Sequence, residues 1–321
     1  MWQQILIRSL FHYSAERLDI ERAFLIKHEH VPNRLFKYRN FNDYHLDALE
    51  NDQLWMSSPD RFNDPFDTAI YFNSERFEME DQDPGTFVAE MKAVSARSAA
   101  GEAPDIRPVA NPIRTGDWLE RVFGTLIEEV ASESREALRA FIDAALGAIR
   151  EAGIRRMSDY LRRGMSVLSL SENPASVLMW SHYSDSHRGF CIEYDLAALP
   201  YSDLRRRLCF PVFYRRKRTD ATRYLAKQLR DFNNLFAHYL CLLKSDEWSY
   251  EREWRIVYAA GPDEPNRPVM MPAPRSLILG ANVSAVDRER AAVFCETRSI
   301  PLRIASQNLD TFRIDIVEVE D

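Results

Sequence analysis

Hydrophobic and polar positions along this 321-residue chain repeat at two periods. Short runs that are apolar throughout, or that alternate residue by residue, fall at Leu35–Tyr38, Leu54–Ser57, Met165–Ser171, Gly189–Tyr194 and Leu208–Tyr214. Others follow at Glu253–Tyr258, Ser276–Leu279, Leu302–Ile304 and Phe312–Val317, and all nine are predicted as strands. Helical spacing appears in a central block. Leu119, Val122, Phe123, Leu126, Ile127 and Val130 recur on one face, as do Leu138, Phe141, Ile142, Ala145 and Leu146. Two or three packed helices are predicted between 117 and 163, with Thr115 or Asp117 as N-cap. A further helix is predicted over Asp220–Lys244, with Leu225, Leu229, Phe232, Phe236, Tyr239, Leu240 and Leu243 on one side. Strands on both sides of a helical block predict a single α+β domain over residues 1–321. Its core is a mixed or antiparallel sheet, with a helical insertion at approximately 75–163.

Composition narrows this picture. Hydrophobic residues make up 45% and charged residues 28%, which excludes disorder, collagen and coiled coil as descriptions of the whole. No run of roughly 18 apolar residues occurs, so no membrane-spanning helix is expected. The apolar stretch at the start contains Arg8 and no small-residue cleavage site, unlike a signal peptide. The four cysteines, Cys191, Cys209, Cys241 and Cys295, are scattered among apolar neighbours without a paired spacing. Buried free thiols in a cytoplasmic protein are expected, with no metal site. Only ten glycines are present and none forms a phosphate-binding loop.

Charge is uneven. The net charge is −7, yet Arg205–Arg230 holds eight Arg and two Lys against one acid, Asp220. Such a block is either a solvated face or a phosphate-facing patch that would take nucleic acid as partner.

Four islands combine aromatic and polar residues in patterns that suggest a site. The first is Leu35-Phe36-Lys37-Tyr38-Arg39, a strand ending in two cations and a phenol. The second runs through Leu54-Trp55-Met56-Ser57-Ser58-Pro59 to Phe62-Asn63-Asp64-Pro65-Phe66-Asp67, where Asp before Pro favours a turn. The third holds Ser169-Leu170-Ser171 and then Met179-Trp180-Ser181-His182-Tyr183 through Gly189, read as a short helix, a turn and a strand. His182 and His187 are five apart, not the helical spacing of a zinc pair, so a His that positions a ligand or satisfies a carbonyl is the better reading. The fourth island runs from Lys244 to Tyr258. As a strand it sets Glu251, Glu253 and Arg255 on one face, with successive same-face positions about 7 Å apart. Paired carboxylates there either pair with Arg or line a polar cleft.

Together these islands resemble a bacterial family catalogued as domain of unknown function 2971. The pattern is Lys37-Tyr38-Arg39, the Leu54–Asp67 segment, Met179–Asp195, and Lys244 with Trp248 and Tyr250–Val257, in that order. A second resemblance offers an activity. An Arg ending an early strand, a Ser-x-Ser strand and a Glu-x-Glu strand are similar to the Arg–Ser–Glu arrangement of ADP-ribosyltransferases. That likeness implies an ADP-ribosyltransferase-like fold and NAD as substrate. Arg39 would hold the NAD phosphates or ribose with Lys37, Asn63 and Asp64 nearby, and Ser169 or Ser171 would brace the site. Tyr38, Trp180 and Tyr183 would stack on nicotinamide, Glu253 would be the catalytic carboxylate, and Glu251 would orient an acceptor. The acceptor would be protein or nucleic acid, in a toxin or in phage defence. Two other classes stay open. One is a non-catalytic nucleic-acid- or protein-binding module. The other is a hydrolase using Glu253 with His182 as an acid–base pair. All the active-site readings require the islands to converge on one pocket.

Overall fold

A computed structural model describes residues 1–71, 155–225, 233–261 and 267–319. Most of the expected helical insertion lies outside these residues, and its last turns form a helix over 155–164 that runs directly into the following strand. The strands are β1 (Leu35–Arg39), β2 (Gln53–Trp55), β3 (Met165–Ser171), β4 (Phe190–Tyr194), β5 (Cys209–Pro211) and β6 (Phe213–Arg215). They continue with β7 (Leu243–Ser245), β8 (Glu253–Ala259), β9 (Pro268–Met270), β10 (Ser276–Leu279), β11 (Leu302–Gln307) and β12 (Ile314–Glu318). Eight of them form one sheet in the order β12-β11-β10-β4-β1-β3-β8-β5, antiparallel except for the parallel β10–β11 pair. The mixed α+β architecture expected from the pattern is therefore present.

Period two along the central strands sorts side chains to two faces. Leu168 and Leu170 of β3 and Trp254 and Ile256 of β8 pack into one cluster with Leu35, Phe190 and Leu277. The helix Ala285–Arg298 covers that face through Ala291 and Cys295. The alternate residues Met165, Val167 and Val257 join a second cluster under the helix Trp2–Leu10, which contributes Leu6 and Leu10. Further along the same face, Phe36 and Tyr38 pack against Met179 and Trp180 of the helix Val177–Tyr183. The first cluster therefore lies on one side of the sheet, the other two on the opposite side.

Pattern and structure differ in several places. The apolar spacing over 220–244 yields no single helix among the described residues: Thr222–Leu225 and Phe236–Leu240 are helical, but Leu243–Ser245 is a strand. Cys241–Leu243 is an unbroken apolar run whose last residue begins a parallel pairing with Phe213–Arg215, which also splits the expected Leu208–Tyr214 strand in two. Helices at Ile20–His30, Asp43–Glu50 and Ala285–Arg298 were not predicted. Each begins at a side-chain cap, Asp19, Asn42 and Ser284 accepting from the backbone N–H of Arg22, His45 and Asp287.

All four cysteines are buried and unpaired, as expected, and burial pushes the Cys295 thiol up to about 11. Among the described residues the basic block holds two unlike clusters, and Lys227 and Arg230 lie outside those residues. Lys27, fully buried, donates to the Arg206 and Arg207 carbonyls at 2.7 Å each, and burial pulls its ammonium down to about 7. The Arg206 guanidinium donates to the Ala197 and Leu199 carbonyls at 2.6 and 2.7 Å. Arg205 grips Asp203 at 2.6 Å, and Arg207 lies 4.6 Å from the Phe24 ring centroid. This first cluster braces the fold. The Arg215–Arg218 cluster is exposed.

One glycine holds the sheet to the neighbouring turn. A Cβ on Gly189 would sit 2.0 Å from the Arg39 carbonyl oxygen, a backbone atom that cannot step aside without moving β1. Gly189→Ala is expected to destabilise the protein by about 1–3 kcal/mol through overpacking, read as a fall in the urea midpoint. A midpoint equal to that of the wild type would show that β1 yields freely.

Candidate active site

The site arises where the sheet splits. β1 and β3 share a single register pair, Phe36↔Ser171, and then diverge. Further down β3, the backbone of Val167 pairs instead with Ser57, at 2.9 Å in both directions. The second island enters the fold beside this split. A turn of 3-10 helix at Pro59–Arg61 leads to Asp64, whose carboxylate accepts from the Phe66 N–H at 2.8 Å, and to Thr68 in the left-handed region. Lys37 reaches across the split and donates to the Ser169 carbonyl at 2.7 Å, an acceptor that a continuous sheet would have used.

A cavity of about 230 Å³ opens here. Its walls are Phe36 to Arg39 of β1, Phe62, Asn63 and Asp67 of the turn, and Ser169 to Ser171 of β3. Met179 and Tyr183 of the short helix, Lys244, Glu251, Glu253 and Arg255 complete it. All four islands meet at this one cavity, although 218 positions separate Lys37 and Arg255 (255 − 37).

An ion network forms the floor. Arg255, 1% exposed, forks onto Asp67 at 2.8 and 2.6 Å and onto Glu253 at 2.8 and 3.0 Å. It also donates to the Cys241 carbonyl at 2.6 Å. Lys244 bridges the two glutamates, 2.5 Å from Glu251 and 3.1 Å from Glu253. Burial alone would push the Glu253 carboxyl up, but Arg255 and Lys244 outweigh it and hold the group well below the usual carboxylate range, helped by the Ser169 hydroxyl. Glu251 behaves differently. Burial and then repulsion from Glu253 push it up, and Lys244 only partly compensates. The Tyr183 hydroxyl donates to Glu251 at 2.8 Å and itself bonds Asn63. Glu253 is thus a fixed anion with each oxygen engaged. Glu251 accepts once at each oxygen and retains capacity for a ligand hydroxyl.

The backbone places both acids. Glu251 is not on the strand, as the alternation suggested, but ends a 3-10 turn over Asp246–Glu251. Arg252 follows with φ of 44°, a left-handed residue that reverses the chain so that both carboxylates meet Lys244. The Ser171 hydroxyl donates to the Glu251 carbonyl at 2.6 Å, and the Tyr214 hydroxyl accepts from the Glu253 N–H at 2.8 Å.

Of the residues expected at the site, Lys37, Tyr38, Arg39, Asn63, Ser169, Ser171, Tyr183, Glu251 and Glu253 line the cavity. Three do not. Trp180 is completely buried beneath it, donating to the Pro174 carbonyl at 2.8 Å and standing edge-on to Tyr38 at 5.1 Å. Asp64 caps its own turn. His182 is exposed on the helix and lies outside the cavity, which removes the geometry for an acid–base pair with Glu253. Tyr38 lines the wall but is 3% exposed, its hydroxyl donating to the Asn173 carbonyl at 2.5 Å, so its ring is committed to packing. The strand cation in the field of the acids is Lys37, pulled down by burial and by Arg39, and supported by Glu253 and Glu251. Arg39 is pulled down to about 10 by burial, with Tyr194 and Tyr44 as the groups that favour its charge. Sequence reading named Lys244, Asp67 and Arg255 within motifs but not as site residues. The signal was there for Arg255, two positions from Glu253 on the same strand face.

Residues 179–256 match the family described as protein of unknown function (DUF2971), the family that the four islands resemble. The matched span carries the third and fourth islands from Met179 to Ile256. No curated protein and no solved structure matches the chain. Among the described residues, no helix is long and apolar enough to cross a membrane.

Proposed function

We propose that the cavity binds NAD and cleaves its nicotinamide–ribose bond, as an ADP-ribosyltransferase-like enzyme. The observation that carries this reading is the convergence, across the β1–β3 split, of Lys37 and Arg39, the Ser169-x-Ser171 strand and the Glu251/Glu253 pair on one cavity. The volume of about 230 Å³ is smaller than the ~300–1,000 Å³ of drug-sized ligand sites. A ribose with its nicotinamide would enter, and the rest of the dinucleotide would extend outward past the β1 cations.

The chemistry suits these groups. The C1′–N bond breaks with its electron pair going to the nicotinamide ring, which leaves as a neutral amide. The ribosyl carbon becomes oxocarbenium-like and is captured by an acceptor, whose proton is released. A carboxylate fixed beside that carbon stabilises the developing charge without having to reorganise. Glu253 is such an anion. The free capacity of Glu251 suits it to hold the acceptor or receive its proton.

A second reading draws on one observation: Glu253 already accepts from Arg255 and Lys244, as a purely structural anion would. The cavity would then bind a nucleotide without turning it over. Release of nicotinamide from NAD by the purified protein, measured alongside the NAD-induced shift in melting temperature, decides between them. Release supports the enzyme. A shift without release supports the binding module, and neither signal overturns both.

A further inference from the structure

A second cavity, also about 230 Å³, lies on the other side of the 62–69 turn. Phe62, Asn63 and Asp67 face the first cavity, whereas Phe66 and Ala69 face the second, and Lys244 lines both. The rest of the wall is the run Arg215-Arg216-Lys217-Arg218 with Thr219, Leu243 and Ser245. Of the two described clusters of the basic block, Arg215–Arg218 is the exposed one. Among the described residues its one carboxylate partner is Asp246, 3.0 Å from an Arg216 side chain that is 90% exposed. Arg218 donates to the Ile70 carbonyl at 2.6 Å, and Phe66 is 63% exposed at the rim.

We propose that this second cavity seats single-stranded nucleic acid and presents it as the acceptor for ADP-ribose. Three observations carry it. Successive cations with an exposed aromatic ring are the elements by which proteins hold single strands, phosphates on the cations and a base on the ring. The cavity admits one base or one phosphate, not a stacked duplex. The two cavities share Lys244 as a partition, and its ammonium lies 2.5 Å from Glu251 on the side of the first cavity. The net charge of −7 does not prevent this, because at 0.1 M salt charges beyond about 10 Å are largely screened while the local cluster acts at contact.

This inference rests on the NAD-cleaving reading for its transfer step. There the C1′–nicotinamide bond breaks, a bond forms from C1′ to a nitrogen of the base, and the proton of that nitrogen leaves. The net products are ADP-ribosylated strand, nicotinamide and a proton. Strand binding does not depend on that step.

The test uses the whole chain and a fluorescein-labelled 12-nucleotide single strand, read by anisotropy across a salt series. Arg216→Gln with Lys217→Gln is expected to weaken binding at least tenfold at low salt. It should also flatten the log–log salt slope by about 1.4, two cations at roughly 0.7 each. Phe66→Ala should weaken single-strand binding and leave the salt slope unchanged. Transfer of radiolabelled ADP-ribose from NAD to the strand should fall in parallel, while nicotinamide release without a strand stays at the wild-type level. No binding at low salt, equal preference for duplex, or label appearing on an acidic peptide instead of the strand would each overturn the proposal. Strand binding without nicotinamide release would sink the NAD reading and the transfer step but keep the surface. Release without strand binding would sink the surface alone.

Discussion

Arg255→Met is expected to be among the most destabilising substitutions in the protein, lowering stability by about 3–5 kcal/mol, as loss of one member of a buried ion cluster does. The reason is what remains. Asp67 is 1% exposed and Glu253 6%, and both lose a two-pronged guanidinium partner at once. The Cys241 carbonyl loses its donor as well. A whole domain is stabilised by only ~5–15 kcal/mol, so the variant should stand near its folding limit. Arg255→Lys keeps the charge but cannot make two forks, and an intermediate loss is expected. The pH dependence separates this cause from simple loss of packing. Glu253 is held below its ordinary value, so its contribution is complete above about 4.5 and is lost as the pH falls toward the folded value. In Arg255→Met the same carboxyl, buried with Lys244 alone, titrates higher and that acid-side slope should shrink. Urea midpoints at neutral and acid pH measure both. A variant within about 1 kcal/mol of the wild type would mean that the network is dispensable.

Much of this arrangement was legible in the chain. β3 and β10 fall at the residues that the apolar pattern predicted, because both strands are central, buried, and bounded by polar or Pro-containing segments. The grouping of the four islands was legible too, since exposed-type residues concentrated there without a packing reason. The ion network was not. Period two puts Glu251, Glu253 and Arg255 on one face, but the left-handed Arg252 breaks that alternation and turns Glu251 onto Lys244, seven residues back. Asp67 meets Arg255 across 188 positions, a long-range pairing that no local pattern encodes. His182 shows the opposite failure. Its aromatic neighbours suggested a site, yet on a helix of seven residues only Met179, Trp180 and Tyr183 turn inward. The basic block stayed open between its two readings for the same reason. Charge count along the chain cannot tell Arg206, spent on backbone carbonyls, from Arg216 in solvent.

Glu253→Gln and Glu251→Gln are expected to divide the reaction between them. Gln at 253 keeps the size and most of the hydrogen-bond reach but removes the anion. Arg255 retains Asp67 and Lys244 retains Glu251, so the fold should survive with a loss of about 1–3 kcal/mol. If the carboxylate stabilises a ribosyl cation, nicotinamide release should fall by about 10²–10³ with NAD affinity nearly unchanged. Glu251→Gln acts at the other end. Its amide still accepts from Tyr183, so nicotinamide release should fall much less, while transfer to an acceptor falls more than hydrolysis by water. The pH profile of transfer gives an independent reading. Burial and Glu253 raise the Glu251 carboxyl above 4.5, so a group acting as acceptor base should give a rate that climbs with pH through that raised value. In Glu251→Gln the climb should disappear. A Glu253→Gln variant that releases nicotinamide at the wild-type rate would leave the fixed anion with a structural role only. Equal unfolding of both variants would assign the whole cluster to stability, and the cavity would then be a binding site built on a structural ion network.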